Sequence, residues 1–364
     1  MRYISFILSG ILLFSQTVFA DEKRVLMLIS SYGTEANPEL SYDLEELAQS
    51  YLVLHDNGVQ LDIASPKGGA VLVKNNKDSL AYIQRFKTLA AAKLAQTLAT
   101  GDIDVTQYNG VFIVGGAGAM LDLPTHKETQ ALLTSAAIND QVIAAVCHGP
   151  AAIANIKLPD GSYFVADKQV NGFTNSEEHA FSGEHLSQFP FLLQDRLIQN
   201  GARFVHNAPM LPYVAVDGNL ITAQNPGSVA KAAEAMVLAL GLPVNKRQLF
   251  SDESTMELLS KARQNGPIVI DLALQRRDHN IDINYLALYG FYAYRLADEA
   301  DKARELAIMH AISKHFSHPE YDAQLILQSL EQGQLERASA VYAQFVERYP
   351  EHNYVSELKA KLTE

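Results

Sequence analysis

Cys147 and His148 are neighbours in a 364-residue chain that contains a single cysteine. They end the apolar run Val142-Ile143-Ala144-Ala145-Val146 and precede Gly149-Pro150-Ala151-Ala152. An apolar strand that stops at a cysteine and restarts as a small-residue helix puts the sulfur on a sharp turn at the carboxyl end of a sheet, where open α/β sheets hold ligands. A following helix aims its free N–H groups and positive dipole end at the sulfur, which predicts a thiol poised toward thiolate. A lone cysteine is more often a small buried hydrophobe. The adjacent histidine, with glycine and proline where a helix should begin, favours chemistry here. A second glycine-rich turn, Gly115-Gly116-Ala117-Gly118, follows the apolar run 111–114. Its backbone N–H groups, at Gly116 and Gly118 with that of His148, are candidates to hold an oxyanion. The turn lacks the lysine or serine of a nucleoside-phosphate loop.

The elements that must position these groups follow an α/β pattern between residues 24 and about 242. Residues 25–29, 59–64, 111–114 and 142–146 read as buried strands, and 40–57, 80–98 and 127–138 as helices between them. Asp217-Gly218-Asn219 joins 213–216 to 220–223 as a hairpin, and 226–240 closes the unit as a helix. Beyond Gly241-Leu242-Pro243 the chain turns rich in alanine, leucine and tyrosine. This places a boundary at 244/245 between an α/β domain (21–244) and an all-α domain (245–364). Two segments about 35 residues apart, around Ala303 and Ala338, align; 333–350 resembles the second half of a tetratricopeptide repeat. A peptide or protein partner for these helices and a plain helical extension remain alternatives.

The first 20 residues carry Arg2, an apolar run from Ile4 to Phe14, and Val18-Phe19-Ala20. This is the form of a secretory signal cut after Ala20, because about eleven apolar residues fall short of the roughly 20 that span a bilayer. A periplasmic or secreted protein is expected, without membrane insertion after cleavage. A formal charge of −12 argues against a nucleic-acid partner. His126, His179, His185 and His206 fall at no common ligand spacing, so no bound metal is expected.

Four motifs then acquire a shared meaning: 145–151 around Cys147, Val170-Asn171-Gly172-Phe173-Thr174-Asn175-Ser176-Glu177-Glu178, 217–226, and Ile63-Ala64-Ser65-Pro66-Lys67-Gly68-Gly69. Together they resemble the ThiJ/PfpI superfamily, relatives of the class I glutamine amidotransferases, and within it the heat-shock-protein-31-like glyoxalase III branch. The resemblance spans about residues 24–242 and supplies no role for the tail. It implies a flavodoxin-like parallel sheet and glutathione-independent conversion of methylglyoxal, or a related small aldehyde, to a 2-hydroxy acid through a cysteine hemithioacetal, with no metal or organic cofactor. On this chain it implies Cys147 as nucleophile, His148 as acid/base, Glu46 as the carboxyl bonded to the thiol and Glu178 as the carboxylate orienting the histidine. Glu45 and Glu177 are the neighbouring registers. Members of the branch often carry histidine at the position of Ala117, and many members of the superfamily form homodimers. A cysteine hydrolase or deglycase, a holdase chaperone, and a thiol stress sensor are alternative uses of the same chain.

Overall fold

The computed structural model describes residues 22–73, 77–276 and 280–363; the expected signal at 1–20 lies outside them. Nine strands are present among the described residues: β1 (Arg24–Leu28), β2 (Gln60–Ser65), β3 (Leu98–Ala99), β4 (Gly110–Ile113), β5 (Val142–Val146), β6 (Gln169–Val170), β7 (Arg203–Phe204), β8 (Val214–Asp217) and β9 (Leu220–Ala223). Seven of them form one sheet in the order β3-β2-β1-β4-β5-β9-β8. All its pairings are parallel except β8 on β9. The central strands β4 and β5 are buried along their whole length, which is why their sequences run apolar without alternation.

Helices α1 (Leu44–Asp56), α2 (Ala81–Ala95), α3 (Gly118–Leu121), α4 (Lys127–Ile138), α5 (Ala151–Ala154), α6 (Asn175–Phe181), α7 (Leu193–Gln199) and α8 (Val229–Ala239) accompany the sheet. Two cores result. On one face Val25 and Met27 meet Leu47 of α1, Phe86 of α2 and Met236 of α8. On the other, Leu26 and Leu28 meet Leu133 of α4, Ile153 of α5 and Leu197 of α7. The chain is thus a flavodoxin-like α/β unit followed by an all-helical region.

That region comprises α9 (Ser251–Asn265), α10 (Ile268–Gln275), α11 (Ile283–Leu296), α12 (Glu299–Ile312), α13 (Pro319–Glu331), α14 (Leu335–Arg348) and α15 (Tyr354–Thr363). The pairs α11/α12 and α13/α14 pack against each other. A third core joins Met256, Tyr289 and Leu306 of these helices to Met210 and Leu211 of the α/β unit. The helical region therefore lies against the sheet unit, through α9 beside the Pro226–Ser228 turn and α11 beside α6.

Periodicity finds 127–138 and 142–146 to the residue. It misses β3, β6 and β7, each two residues long and too short to show a period. The expected helix 80–98 stops at Ala95, because Leu98 and Ala99 pair with β2.

Candidate active site

β5 delivers Cys147 to the carboxyl edge of the sheet. Its φ is +56°, a left-handed backbone that a side-chain-bearing residue adopts at a cost of about 1–2 kcal/mol. Neighbouring strands and loops hold the turn. The Cys147 N–H donates to the Ala223 carbonyl (2.8 Å), and its own carbonyl accepts from Phe173 N–H (2.9 Å). Gly149 is required two residues later, since a Cβ there would lie 2.6 Å from the Ile113 carbonyl oxygen.

His148 Nδ1 lies 3.5 Å from Cys147 Sγ. On the far side of the ring, Nε2 lies 3.1 Å from both carboxylate oxygens of Glu178. Glu178 also accepts from the Ser182 hydroxyl. Burial pushes the Glu178 carboxyl up, but the hydrogen bond and charge of His148 outweigh it and hold the group below the usual glutamate range. Such a pair fixes the ring's tautomer and orientation. Phe173 and Phe189 enclose the imidazole, at centroid distances of 4.6 and 5.7 Å.

Glu178 is on α6, whose first turn is set by a capping box between Thr174 and Glu177. Glu177 is spent inside the fold: it accepts from Thr174, the Met210 N–H, Gln224 and Asn225. The two neighbouring glutamates therefore have different tasks. Glu178→Gln is expected to cut turnover by about 10- to 100-fold, the usual loss for an orienting partner. The Glu178 carboxylate favours folding above the unfolded-state pKa, and this contribution fades as pH falls through its depressed folded value. Thermal melts of both proteins should therefore converge on acidification below about pH 4.

Glu46 reaches the sulfur from α1. Asp43 caps that helix, accepting from the Glu45 and Glu46 N–H groups, and its own N–H donates to the Gly115 carbonyl (3.1 Å). This ties the helix start to the glycine turn. Glu46 Oε2 accepts from the Gly115 N–H (2.8 Å), and the carboxyl hydrogen-bonds the Cys147 thiol. Glu45 faces Lys77 (2.9 Å) and the Tyr82 hydroxyl (2.9 Å) instead. Burial, reinforced by the Asp43 charge, raises the Glu46 carboxyl well above its ordinary range and favours its acid form, while the hydrogen bond from the Cys147 thiol and that from the Gly115 N–H oppose the rise.

Two expectations require correction. The helix after the cysteine, α5, is four residues long, and burial together with Glu46 pushes the Cys147 thiol up rather than down. Only the Gly116 backbone hydrogen bond opposes this notably. The sulfur is also not an exposed, readily oxidised thiol, because Cys147 is 4% exposed. Second, Gly118 is not an oxyanion donor: its N–H donates to the Ser41 carbonyl at 3.0 Å. Gly116 is held at φ +92° under Ser41 and Asp43, where a Cβ would approach backbone within 2.5 Å. The His148 N–H has no acceptor among the described residues.

Cys147 and His148 open onto a cavity of about 480 Å³. Cys147, His148, Phe173, Phe181 and Phe189 line it, as do Gly116 and Ala117, and Pro38, Glu39 and Ser41 of the loop before α1. His185 joins the same wall, while His126 caps α4 away from it. Among the described residues no cluster of three or more metal-ligating side chains occurs. Sequence reading passed over Ser182 and Phe189; a serine four residues after Glu178 on one helical face was the available signal.

A flavodoxin-like sheet with its cysteine at the end of a central strand places the chain in the cysteine-centred α/β class. Residues 23–239 match the DJ-1/PfpI family, and the chain belongs to it. One relative, a glutathione-independent glyoxalase of Schizosaccharomyces pombe, is 34% identical over 145 residues, which cover 38% of this chain and 60% of the relative. A second from the same organism and of the same description is 28% identical over 245 residues, covering 60% of this chain and 96% of the relative. The solved structure of the Rapid Encystment Protein 24 KDa from Francisella tularensis superposes with a TM-score of 0.56 at 29% identity, over 60% of this chain and 99% of that one.

Proposed function

We propose that this protein is a glutathione-independent, glyoxalase III-type enzyme that converts methylglyoxal or a related small 2-oxoaldehyde to the 2-hydroxy acid. The observation that carries the reading is the grouping of Cys147 with the Glu46 carboxyl on one side and a Glu178-oriented His148 on the other, with the sulfur and the imidazole lining one cavity. Two family relatives described as glutathione-independent glyoxalases support it.

In this mechanism Cys147 Sγ adds to the aldehyde carbon and the thiol proton passes to the carbonyl oxygen, giving a hemithioacetal. The Gly116 and His148 N–H groups face the developing oxyanion. Glu46 or His148 takes the proton from the former aldehyde carbon, and the electron pair forms an enediol. Return of a proton to the adjacent carbon yields a 2-hydroxyacyl thioester. Water cleaves the C–S bond, the acid leaves and the sulfur regains its proton. One water is consumed and no electron leaves the system.

The test is loss of methylglyoxal with equimolar lactate in the absence of glutathione; aldehyde consumption without lactate would overturn the reading. Export through residues 1–20 belongs to the same proposal. Protein recovered from outside the cytoplasm should begin at Asp21 by N-terminal sequencing, and a retained Met1 would remove that part.

A further inference from the structure

The sulfur and Glu46 face different spaces. Cys147 and His148 line the 480 Å³ outer cavity. Glu46 instead lines an inner chamber of about 240 Å³, roomy enough for several waters. Its opposite wall comes from the helical region: Asp252 and Met256 of α9, and Tyr285 and Leu288 of α11. Phe173, Phe181 and Pro226 stand between the two spaces, lining both.

Most carboxylates around this chamber are already engaged. Glu45 is held by Lys77 and Tyr82, Asp43 caps α1, and Glu177 accepts from Met210 N–H, Gln224 and Asn225. Among the described side chains that line the chamber, two buried oxygens have no nitrogen or oxygen partner: Glu46 Oε1 and Asp252 Oδ1. The other Asp252 oxygen accepts from Gln49 Nε2 at 2.8 Å, which fixes the carboxylate against α1, the helix that carries Glu46. The Tyr285 phenol lies within the field of Asp252, Glu45, Asp43 and Glu46 and is held neutral, first by burial and then by those charges.

We infer that the helical region completes the active centre: Asp252 accepts the Glu46 proton through water in the inner chamber, leaving Glu46 as the free carboxylate that carbon-proton transfer needs. The exchange balances, because Glu46 carboxylic acid and Asp252 carboxylate become Glu46 carboxylate and Asp252 carboxylic acid, and the reverse transfer resets the pair. Burial, opposed by the Gln49 hydrogen bond and aided by the Glu45 charge, raises the Asp252 carboxyl to about 6. It is thus ionised and receptive at neutral pH, whereas burial and the Asp43 charge favour the acid form of Glu46. Asp252 touches neither sulfur nor substrate cavity, so it is a relay residue acting through Glu46.

This inference rests on the glyoxalase reading only for its turnover arm. Wild-type protein, Asp252→Asn and Asp252→Glu are compared in two assays. In the first, which needs no substrate, alkylation of Cys147 by iodoacetamide is followed by intact mass between about pH 5 and 9. The wild-type rate should rise with pH but show a shoulder near pH 6, where Asp252 loses its proton and can take that of Glu46, whose charge opposes the thiolate. Asp252→Asn should lose the shoulder, and Asp252→Glu should keep one at a shifted pH. In the second, kcat with methylglyoxal should fall about tenfold in Asp252→Asn with KM unchanged, and should lose the limb that rises through pH 6. Asn keeps the acceptor for Gln49, so a purely structural role would spare both profiles. Superimposable wild-type and Asp252→Asn alkylation profiles overturn the inference. Absence of lactate from wild type would sink the glyoxalase reading alone, since the alkylation arm still decides. Should Asp252→Asn fail to fold, Asp252→Glu carries the test: a shoulder unmoved by the longer side chain overturns it.

Discussion

Cys147→Ala is expected to lower lactate formation by at least about 10³-fold, the scale of removing a catalytic nucleophile. No other sulfur exists in the chain to replace it except the thioethers of methionine, which cannot add to an aldehyde and release an acid. The substitution also isolates a backbone effect. Alanine retains the strain of φ +56°, whereas glycine does not, so Cys147→Gly should be more stable than Cys147→Ala by about 1 kcal/mol although both are inactive. Chemical denaturation of the two variants measures the difference. Equal stabilities would mean that the turn stores no strain, and residual turnover in Cys147→Ala would move the reaction away from the sulfur.

Glu46→Gln should separate activity from stability in opposite directions. Turnover is expected to fall by about 10²-fold or more, because an amide cannot accept the carbon proton. The fold should nevertheless gain stability at neutral pH. Glu46 has a folded pKa raised by burial and by Asp43, so the folded state holds a proton that the unfolded chain gives up. Stability therefore falls as pH rises from the ordinary glutamate value toward the raised one. Glutamine keeps the acceptor for the Gly115 N–H and does not titrate. The variant should melt about 2–4 °C higher for each kcal/mol gained near pH 7, with the advantage vanishing near pH 4. A lower melting temperature at neutral pH would indicate that Glu46 is ionised and stabilising in the resting protein.

The sheet and its nucleophile were readable because both depend on local pattern. Apolar runs of four or five residues marked β1, β4 and β5, the six-residue alternation of 59–64 marked β2, and the strand-to-helix junction marked Cys147 and His148. The carboxylates were a different matter. Glu46 lies 101 residues before the cysteine and Glu178 follows it by 31, so no spacing rule connects them; only resemblance to a family did. Gly118 went wrong for a related reason. Four adjacent N–H groups in the 115–118 turn look equivalent in a sequence, and only the paths of the Glu46 carboxyl and the Ser41 carbonyl determine that those of Gly115 and Gly118 are consumed. The thiol's environment was misread because a dipole argument ignored burial, which here is the larger effect. Asp252 was illegible altogether, since its importance depends on how α9 lies against α1, 203 residues from Gln49.

The two ends of the sheet carry a consequence for self-association. One edge strand, β3, is two residues long, and the other, β8, is four and runs against its neighbour. Beside β8, Gln169 N–H donates to Asp217 and Arg203 pairs with the same carboxylate (3.6 Å), so polar contacts occupy that flank. Short, partly covered borders offer little template for adding a strand from another copy. A continuous intermolecular sheet is thus disfavoured, and two copies of this chain would meet through helical faces, leaving the backbone ladder of each intact.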